Sequence, residues 1–208
     1  SSERPVSLNS GKACADALEK VGYRVTRIDV DRSIATVLDD LRPDVCFHAL
    51  HGPYGEDGTI QGLFQILGLP FVGCDSAASA VCMDKIFCKR MLAHAGLPTP
   101  PWVELDRERW AADRERITAH CLGLGLPLFV KPARLGSSVG ITKVKQEAEL
   151  SAAIGEALAH GERALVERGV DAREIEVAVL GGDPTRASLP GEIVPGREFY
   201  DYTDKYLD

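Results

Sequence analysis

The hydrophobic pattern of the first 73 residues switches repeatedly between helical and strand period, and this alternation limits the fold more than any other feature. Residues 11–21 carry Ala13, Ala17, Leu18 and Val21 as an apolar stripe and stop at Gly22. Residues 23–30 then read as a strand, 34–41 as a short helix and 45–50 as a second strand. A helix over 59–67 halts at Gly68, and Leu69-Pro70-Phe71-Val72-Gly73 gives a short strand and a turn. Strands separated by helices of this length predict a layered α/β domain around a parallel sheet.

Helices follow over 77–81 and 85–94, the second closed by Ala95-Gly96-Leu97-Pro98. Pro98-Thr99-Pro100-Pro101 is the clearest linker. Beyond it, 107–120 reads as a charged helix with a solvated face, 128–131 as a buried strand, 139–144 as a strand and 146–158 as a helix. After residue 163 the style changes to strands and loops, with strands at 164–167, 174–180 and 192–194.

A chain of 208 residues makes one large domain or two small ones. At that size it buries enough surface to fold without disulfides or a structural metal. Its 24 basic and 31 acidic side chains leave a net charge of -7. Neither the part before Pro98 nor the part after it is basic, which argues against a nucleic-acid module and against binding to anionic membrane. No apolar run approaches the ~20 residues of a membrane span, and Ser1-Ser2-Glu3-Arg4-Pro5 carries no signal-peptide core. Cys14, Cys46, Cys74, Cys82, Cys88 and Cys121 contain no Cys-x-x-Cys pair and lie mostly among apolar neighbours. They read as reduced, buried small hydrophobes of a cytoplasmic protein, and no zinc-ligand spacing occurs.

Three stretches are candidates for chemistry. His51-Gly52-Pro53-Tyr54-Gly55-Glu56-Asp57-Gly58-Thr59-Ile60-Gln61-Gly62 leaves a strand and opens a helix, the place where α/β sheets hold ligands. Its glycines let the backbone turn sharply and approach a ligand. The plainer reading is a turn whose Asp57 or Thr59 caps the next helix. In Phe129-Val130-Lys131-Pro132-Ala133-Arg134-Leu135-Gly136-Ser137-Ser138-Val139-Gly140 a buried strand delivers a lysine into a Gly/Ser loop. Backbone amides of such a loop can cradle an anion, and Lys131 adds a point charge. The plainer reading is a hairpin with an exposed lysine. Met83-Asp84-Lys85 sets a lysine at a helix N-terminus, which favours an anion weakly when taken alone. Glu167 and Glu174, in strands flanking Gly169-Val170-Asp171-Ala172-Arg173, are equally weak in isolation.

Taken in order, these stretches resemble the D-alanine–D-alanine ligases of the ATP-grasp superfamily. The likeness begins with Ser1-Ser2-Glu3-Arg4-Pro5-Val6-Ser7-Leu8-Asn9-Ser10-Gly11 and runs through the His51 stretch, Met83-Asp84-Lys85 and the Lys131 loop. It ends with Phe199-Tyr200-Asp201-Tyr202-Thr203-Asp204-Lys205-Tyr206. It implies an N-terminal layered parallel α/β (pre-ATP-grasp) domain followed by an incomplete ATP-grasp fold. The α/β to α+β chain would divide at 1–73, 74–167 and 168–208.

The resemblance also implies chemistry. ATP phosphorylates the carboxylate of one D-alanine, and the amine of a second attacks the acyl phosphate to give D-alanyl-D-alanine for peptidoglycan. Lys85 and Lys131 would hold phosphates, and the amides of Gly136, Ser137, Ser138, Val139 and Gly140 would close over the γ-phosphate. Glu167 and Val170 would border adenine, and Glu174 the ribose. Glu3 would take the ammonium of the first D-alanine, with Ser137 and Tyr206 around the reacting carboxylate. His51 would lie near the D-alanines, and Lys205 near a carboxylate or the transferred phosphate. Mg2+ or Mn2+ would be required, its ligands expected in a part of the family that this chain lacks. The chain alone is therefore expected to be inactive. Relatives are commonly cytoplasmic homodimers.

Two departures matter. The family's opening strand is absent, and position 169 is Gly where some relatives place an aromatic residue beside adenine. Tyr206 favours the dipeptide over a D-alanine–D-lactate product, since related ester-forming enzymes tend to carry histidine there. That ester ligase, another carboxylate–amine ligase, and a non-catalytic nucleotide- or D-alanine-binding remnant are the alternatives.

Overall fold

The computed structural model describes residues 3–182 and 184–196. It divides into two compact units, one of Ser1–Thr99 with Ala133–Gly136, the other of Pro100–Pro132 with Ser137–Asp208.

The first unit opens with helix α1 (Arg4–Lys20), which begins well before the expected residue 11. Pro5 lies in its first turn, where the missing N–H breaks no helical bond. The buried face is also not the expected stripe. Ala15 is buried, with Gly11, Cys14 and Leu18 half-buried, whereas Ala13, Ala17 and Val21 are exposed. Small residues at 11, 14 and 15 let the helix lie close to its neighbours, so size rather than hydrophobicity selects the face. Residues 23–30 form no ladder with any described strand, and only Val25 and Ile28 are even half-buried. A strand needs a partner backbone as well as a pattern.

Helix α2 (Ile34–Leu41) leads to β1 (Cys46–Phe47), then α3 (Thr59–Ile66) and β2 (Phe71–Val72). The two strands pair in parallel, Cys46 opposite Phe71, as a helical crossover requires. Leu38, Cys46, Ile60, Phe64 and Leu69 form the core there. Helices α4 (Ser76–Met83) and α5 (Lys85–His94) complete the unit, capped by Asp75 and Asp84 through the backbone amides that their side chains accept.

The second unit is built on β3 (Trp102–Asp106), β4 (Leu128–Pro132), β5 (Thr142–Val144) and β6 (Arg163–Arg168), an antiparallel sheet in the order β3-β6-β4-β5. Between β3 and β4 the expected single helix is two, α6 (Arg107–Ala112) and α7 (Arg114–Leu122). Asp113 breaks them: it leaves helical dihedrals (φ -152, ψ 70) and caps α7 by accepting from the Arg116 amide. Helix α8 (Glu147–Ala159) starts on a Gln146/Glu149 capping box. It covers one sheet face, where Leu128, Val130, Val144, Leu150, Ile154, Ala164 and Val166 are buried together. Burial there pushes the Cys121 thiol up to about 11.

Beyond the sheet, β7 (Glu174–Glu176) pairs with β10 (Gly191–Ile193), and β8 (Val179–Leu180) with β9 (Arg186–Ala187). The expected strand over 174–180 is thus split. Cys46 and Cys121 are buried as expected, but Cys74 and Cys82 are exposed; all six thiols are free. Among the described residues no helix is long and apolar enough to cross a membrane.

Candidate functional site

In the first unit the structure brings Glu3, His51 and Gly136 together, and adds Glu56. Glu3 is only 3% exposed. Its Oε2 lies 2.0 Å from where a Cβ on Gly52 would stand, and its Oε1 lies 3.7 Å from the same point on Gly136. Gly52 also has φ +76, so a side chain there would be strained and would displace the Glu3 carboxylate. Glu56 turns back on its own loop: Oε2 accepts the Gly52 amide at 2.6 Å, and Oε1 lies 3.8 Å from His51 Nδ1. Ser10 Oγ is 3.1 Å from His51 Nε2, and Ser7 Oγ accepts the His51 amide at 2.9 Å. Helix α1 therefore supplies one hydroxyl that anchors the His51 backbone and one that meets its imidazole. Two carboxylates close to this loop make its surroundings negative, which favours a cationic ammonium over an anion.

The rest of this loop is fixed from α3. Gln61 Nε2 donates to the Gly55 carbonyl at 2.8 Å. Asp57 accepts the Tyr54 amide at 3.0 Å and the Thr59 amide at 3.1 Å. Burial works to raise the Asp57 pKa, but those amides and the Thr59 hydroxyl outweigh it and hold the carboxyl below 3.8. Asp57 thus ties the turn to the first residue of α3, whose N-cap position, Gly58, makes no side-chain cap.

Lys85 opens α5 in the same unit. Its amide donates to the Ala133 carbonyl at 2.9 Å, and its ammonium donates to the Leu135 carbonyl. The glycine–serine loop continues into the second unit as a turn over 137–140. Ser137 and Ser138 both adopt left-handed dihedrals, φ 53 and φ 58. Two consecutive non-glycine residues in that region are strained, a condition that clusters at ligand clamps. Gly140 has φ +69, and a Cβ there would stand 2.7 Å from His160 Cδ2. Val139 lies within the turn, half-buried.

The sheet face opposite α8 carries the second unit's polar groups. Alternation along β4 turns Leu128, Val130 and Pro132 inward and leaves Phe129 and Lys131 on this face. Lys131 pairs with Glu167 on β6, at 23% and 14% side-chain exposure. Phe129 lies opposite both Glu167 and Lys143, and the ammonium groups of Lys131 and Lys143 sit 5.5 and 5.8 Å from its ring centre. Sequence reasoning missed Phe129 and Lys143, although Phe129, two before Lys131, falls on the same strand face. It missed Ser10 and Glu56 too, whose role depends on contacts across the fold.

Val170 and Glu174 are exposed, and Glu174 starts β7 opposite Ile193, outside the four-stranded sheet. The structure gives a reason for Gly169: a Cβ there would stand 2.9 Å from the Pro127 carbonyl, so no aromatic residue fits this backbone path. Lys205 and Tyr206 lie outside the described residues. Among the described residues no three His, Cys, Asp or Glu side chains group to hold a metal.

A layered α/β unit followed by an antiparallel sheet with a lysine-bearing face and a glycine–serine loop is the arrangement of the ATP-grasp ligases. Family models for the D-ala D-ala ligase C-terminus and N-terminus match residues 91–208 and 36–74. A D-alanine--D-alanine ligase of Heliobacterium modesticaldum is 42% identical over 99% of this chain and 67% of its own length. Among solved structures, the D-alanine-D-alanine ligase of Coxiella burnetii superposes with TM-score 0.67 at 41% identity, over 73% of this chain and 44% of the other. The VanG D-Ala:D-Ser ligase of Enterococcus faecalis does so with TM-score 0.69 at 40% identity, over 88% and 48%. The chain belongs to the D-alanine–D-alanine ligase family. It spans from about half to two thirds of the length of the curated relatives it matches.

Proposed function

We propose that this chain is part of an ATP-dependent ligase that joins two D-alanines through a D-alanyl phosphate. The observation that carries the reading is the buried Glu3 carboxylate, laid over Gly52 and beside Gly136. A buried anion favours a cation of matching size, and the ammonium of a small D-amino acid supplies one. Glu3 would hold it, while Ser7, Ser10 and Glu56 fix His51 near the substrate.

On the nucleotide side, Lys85 and Lys131 would neutralise phosphate oxygens, and the amides of residues 136–140 would cradle the transferred group. Phosphoryl transfer asks for such positioning and charge more than for covalent help. Glu167 directs the Lys131 ammonium and would border adenine, with Val170 beside it and Glu174 at the ribose. Ser137, Lys205 and Tyr206 would surround the reacting carboxylate. Mg2+ or Mn2+, ATP and D-alanine complete the reaction, placed in the cytoplasm by its demand for ATP and carried out by a homodimer.

A second reading concerns the nucleophile, because the Enterococcus neighbour is named for D-serine. The test of both is turnover of the full-length protein with ATP and D-alanine, offered D-alanine, D-serine or D-lactate in competition. D-alanyl-D-alanine should be the main product at neutral pH. No D-alanine-dependent ADP release would refute the ligase reading, and a dominant ester or mixed dipeptide would refute the choice of nucleophile.

A further inference from the structure

Four residues, Ala133–Gly136, group with the first unit although the strand before them, β4, belongs to the second. Their contacts explain this. Lys85 N–H donates to the Ala133 carbonyl at 2.9 Å, the Lys85 ammonium donates to the Leu135 carbonyl, and Asp84 and Arg134 form an isolated antiparallel bridge. Arg134 Nε donates to Asp84 Oδ2 at 3.0 Å. The other oxygen, Oδ1, accepts the Ile86 amide at 3.1 Å and the Phe87 amide at 3.2 Å. One carboxylate thus caps the helix that carries Lys85 and grips the stem of the glycine–serine loop.

The two partners differ sharply in environment: the Asp84 side chain is 0% exposed and that of Arg134 is 65% exposed. Desolvation makes Asp84 dependent on its donors. The two helix amides remain when Arg134 is truncated, and an ion pair with one partner in water contributes little to stability. What Arg134 supplies is geometry. We propose that Arg134, acting through Asp84, is a positioning residue that fixes the direction of the Lys85 ammonium and the root of the 136–140 loop. The assignment rests on the reading that Lys85 and this loop hold ATP phosphates.

The test uses Arg134→Ala, Arg134→Lys and Lys85→Ala in the full-length protein. Hydrogen exchange without nucleotide follows the Lys85 amide and residues 133–140, and steady-state kinetics follows KM for ATP and for D-alanine. Arg134→Ala should speed exchange at those amides and raise KM for ATP about tenfold, the equivalent of about 1.4 kcal/mol of lost phosphate binding. KM for D-alanine should stay put, and the melting temperature should shift by no more than about 3 °C. Arg134→Lys should restore most of the affinity for ATP. Unchanged exchange, or faster exchange with a wild-type KM for ATP, would overturn the proposal. So would an equal rise in both KM values with a large fall in melting temperature, because that pattern marks a purely structural pair. A wild-type KM for ATP in Lys85→Ala removes the underlying reading instead, and is separable because Arg134 is unaltered in that variant.

Discussion

Three glycines with positive φ separate backbone strain, steric collision and functional displacement. Gly22, Gly52 and Gly58 have φ +97, +76 and +91, so alanine at each carries a similar conformational cost, about 1 kcal/mol. Around Gly22 nothing lies within 4 Å of an added Cβ, and the cost should end there. At Gly58 the Cβ would stand 2.4 Å from the Ser76 carbonyl oxygen and 3.2 Å from its carbon. Backbone must move, which adds about 1–3 kcal/mol of overpacking. At Gly52 the Cβ would stand 2.0 Å from Glu3 Oε2, the far end of a flexible side chain. Glu3 can swing away, so Gly52→Ala should be only slightly less stable than Gly22→Ala. Its functional cost should be far larger: a carboxylate moved by more than 1 Å loses about 100-fold in D-alanine-dependent kcat/KM. Urea titration gives the stability order through the midpoint at constant slope, and initial rates at saturating ATP give the function. Equal destabilisation by Gly22→Ala and Gly58→Ala would refute the steric reasoning. A folded Gly52→Ala protein with wild-type kinetics on D-alanine would refute the role given to Glu3.

Lys131→Met removes the cation beside Glu167 and should lower stability by about 1–3 kcal/mol, with partial recovery in the Lys131→Met, Glu167→Gln double variant. ADP release should fail in both, and a single variant as stable as wild type would show that the pair is idle. The Asp57 carboxyl is held below 3.8 in the fold, so its contribution is complete above that pH and is lost as pH falls through the folded value. Acid titration of Asp57→Asn should therefore show a flatter stability profile below pH 3.8, and an unchanged slope would count against it. Burial pushes the His48 pKa below 6.5, so below that pH the unfolded chain binds the proton more readily and stability declines toward the folded pKa. Melting curves of His48→Asn should lack that decline, and a decline of wild-type size would place its origin elsewhere.

Local chemistry was legible where one segment suffices. The helices over 34–41, 59–66 and 85–94 follow from period, helped in the last two by Gly68 and Gly96 and in the last by the Asp84 cap. The helix break at Asp113 was hidden because a polar residue on a charged face looks like any other until its side chain is seen to accept an amide. Strand β3 went unread behind the proline-rich linker, although Val103 and Leu105 alternate inward between Trp102, Glu104 and Asp106. The strand expected over 23–30 failed for the opposite reason: its pattern is present, and no described backbone pairs with it.

The site divides along the same line. Glycines and serines of residues 136–140 announce a tight turn, but the strained left-handed φ of Ser137 and Ser138 is not written in residue type. Pairing could not be announced in the same way. Assigning Lys131 to phosphate and Glu167 to adenine treats them as separate groups, yet register settles that they touch. Lys131 lies opposite Leu165 and Phe129 opposite Glu167, which makes Lys131 and Glu167 diagonal neighbours on one face. Their charges are therefore set together, and a substitution at either alters the other's surroundings before it alters any ligand. The same holds for Glu3, which the sequence places before a helix and the fold lays over Gly52, 49 positions away. Residue type nominates a side chain for chemistry; only a non-local contact decides which charge it answers to.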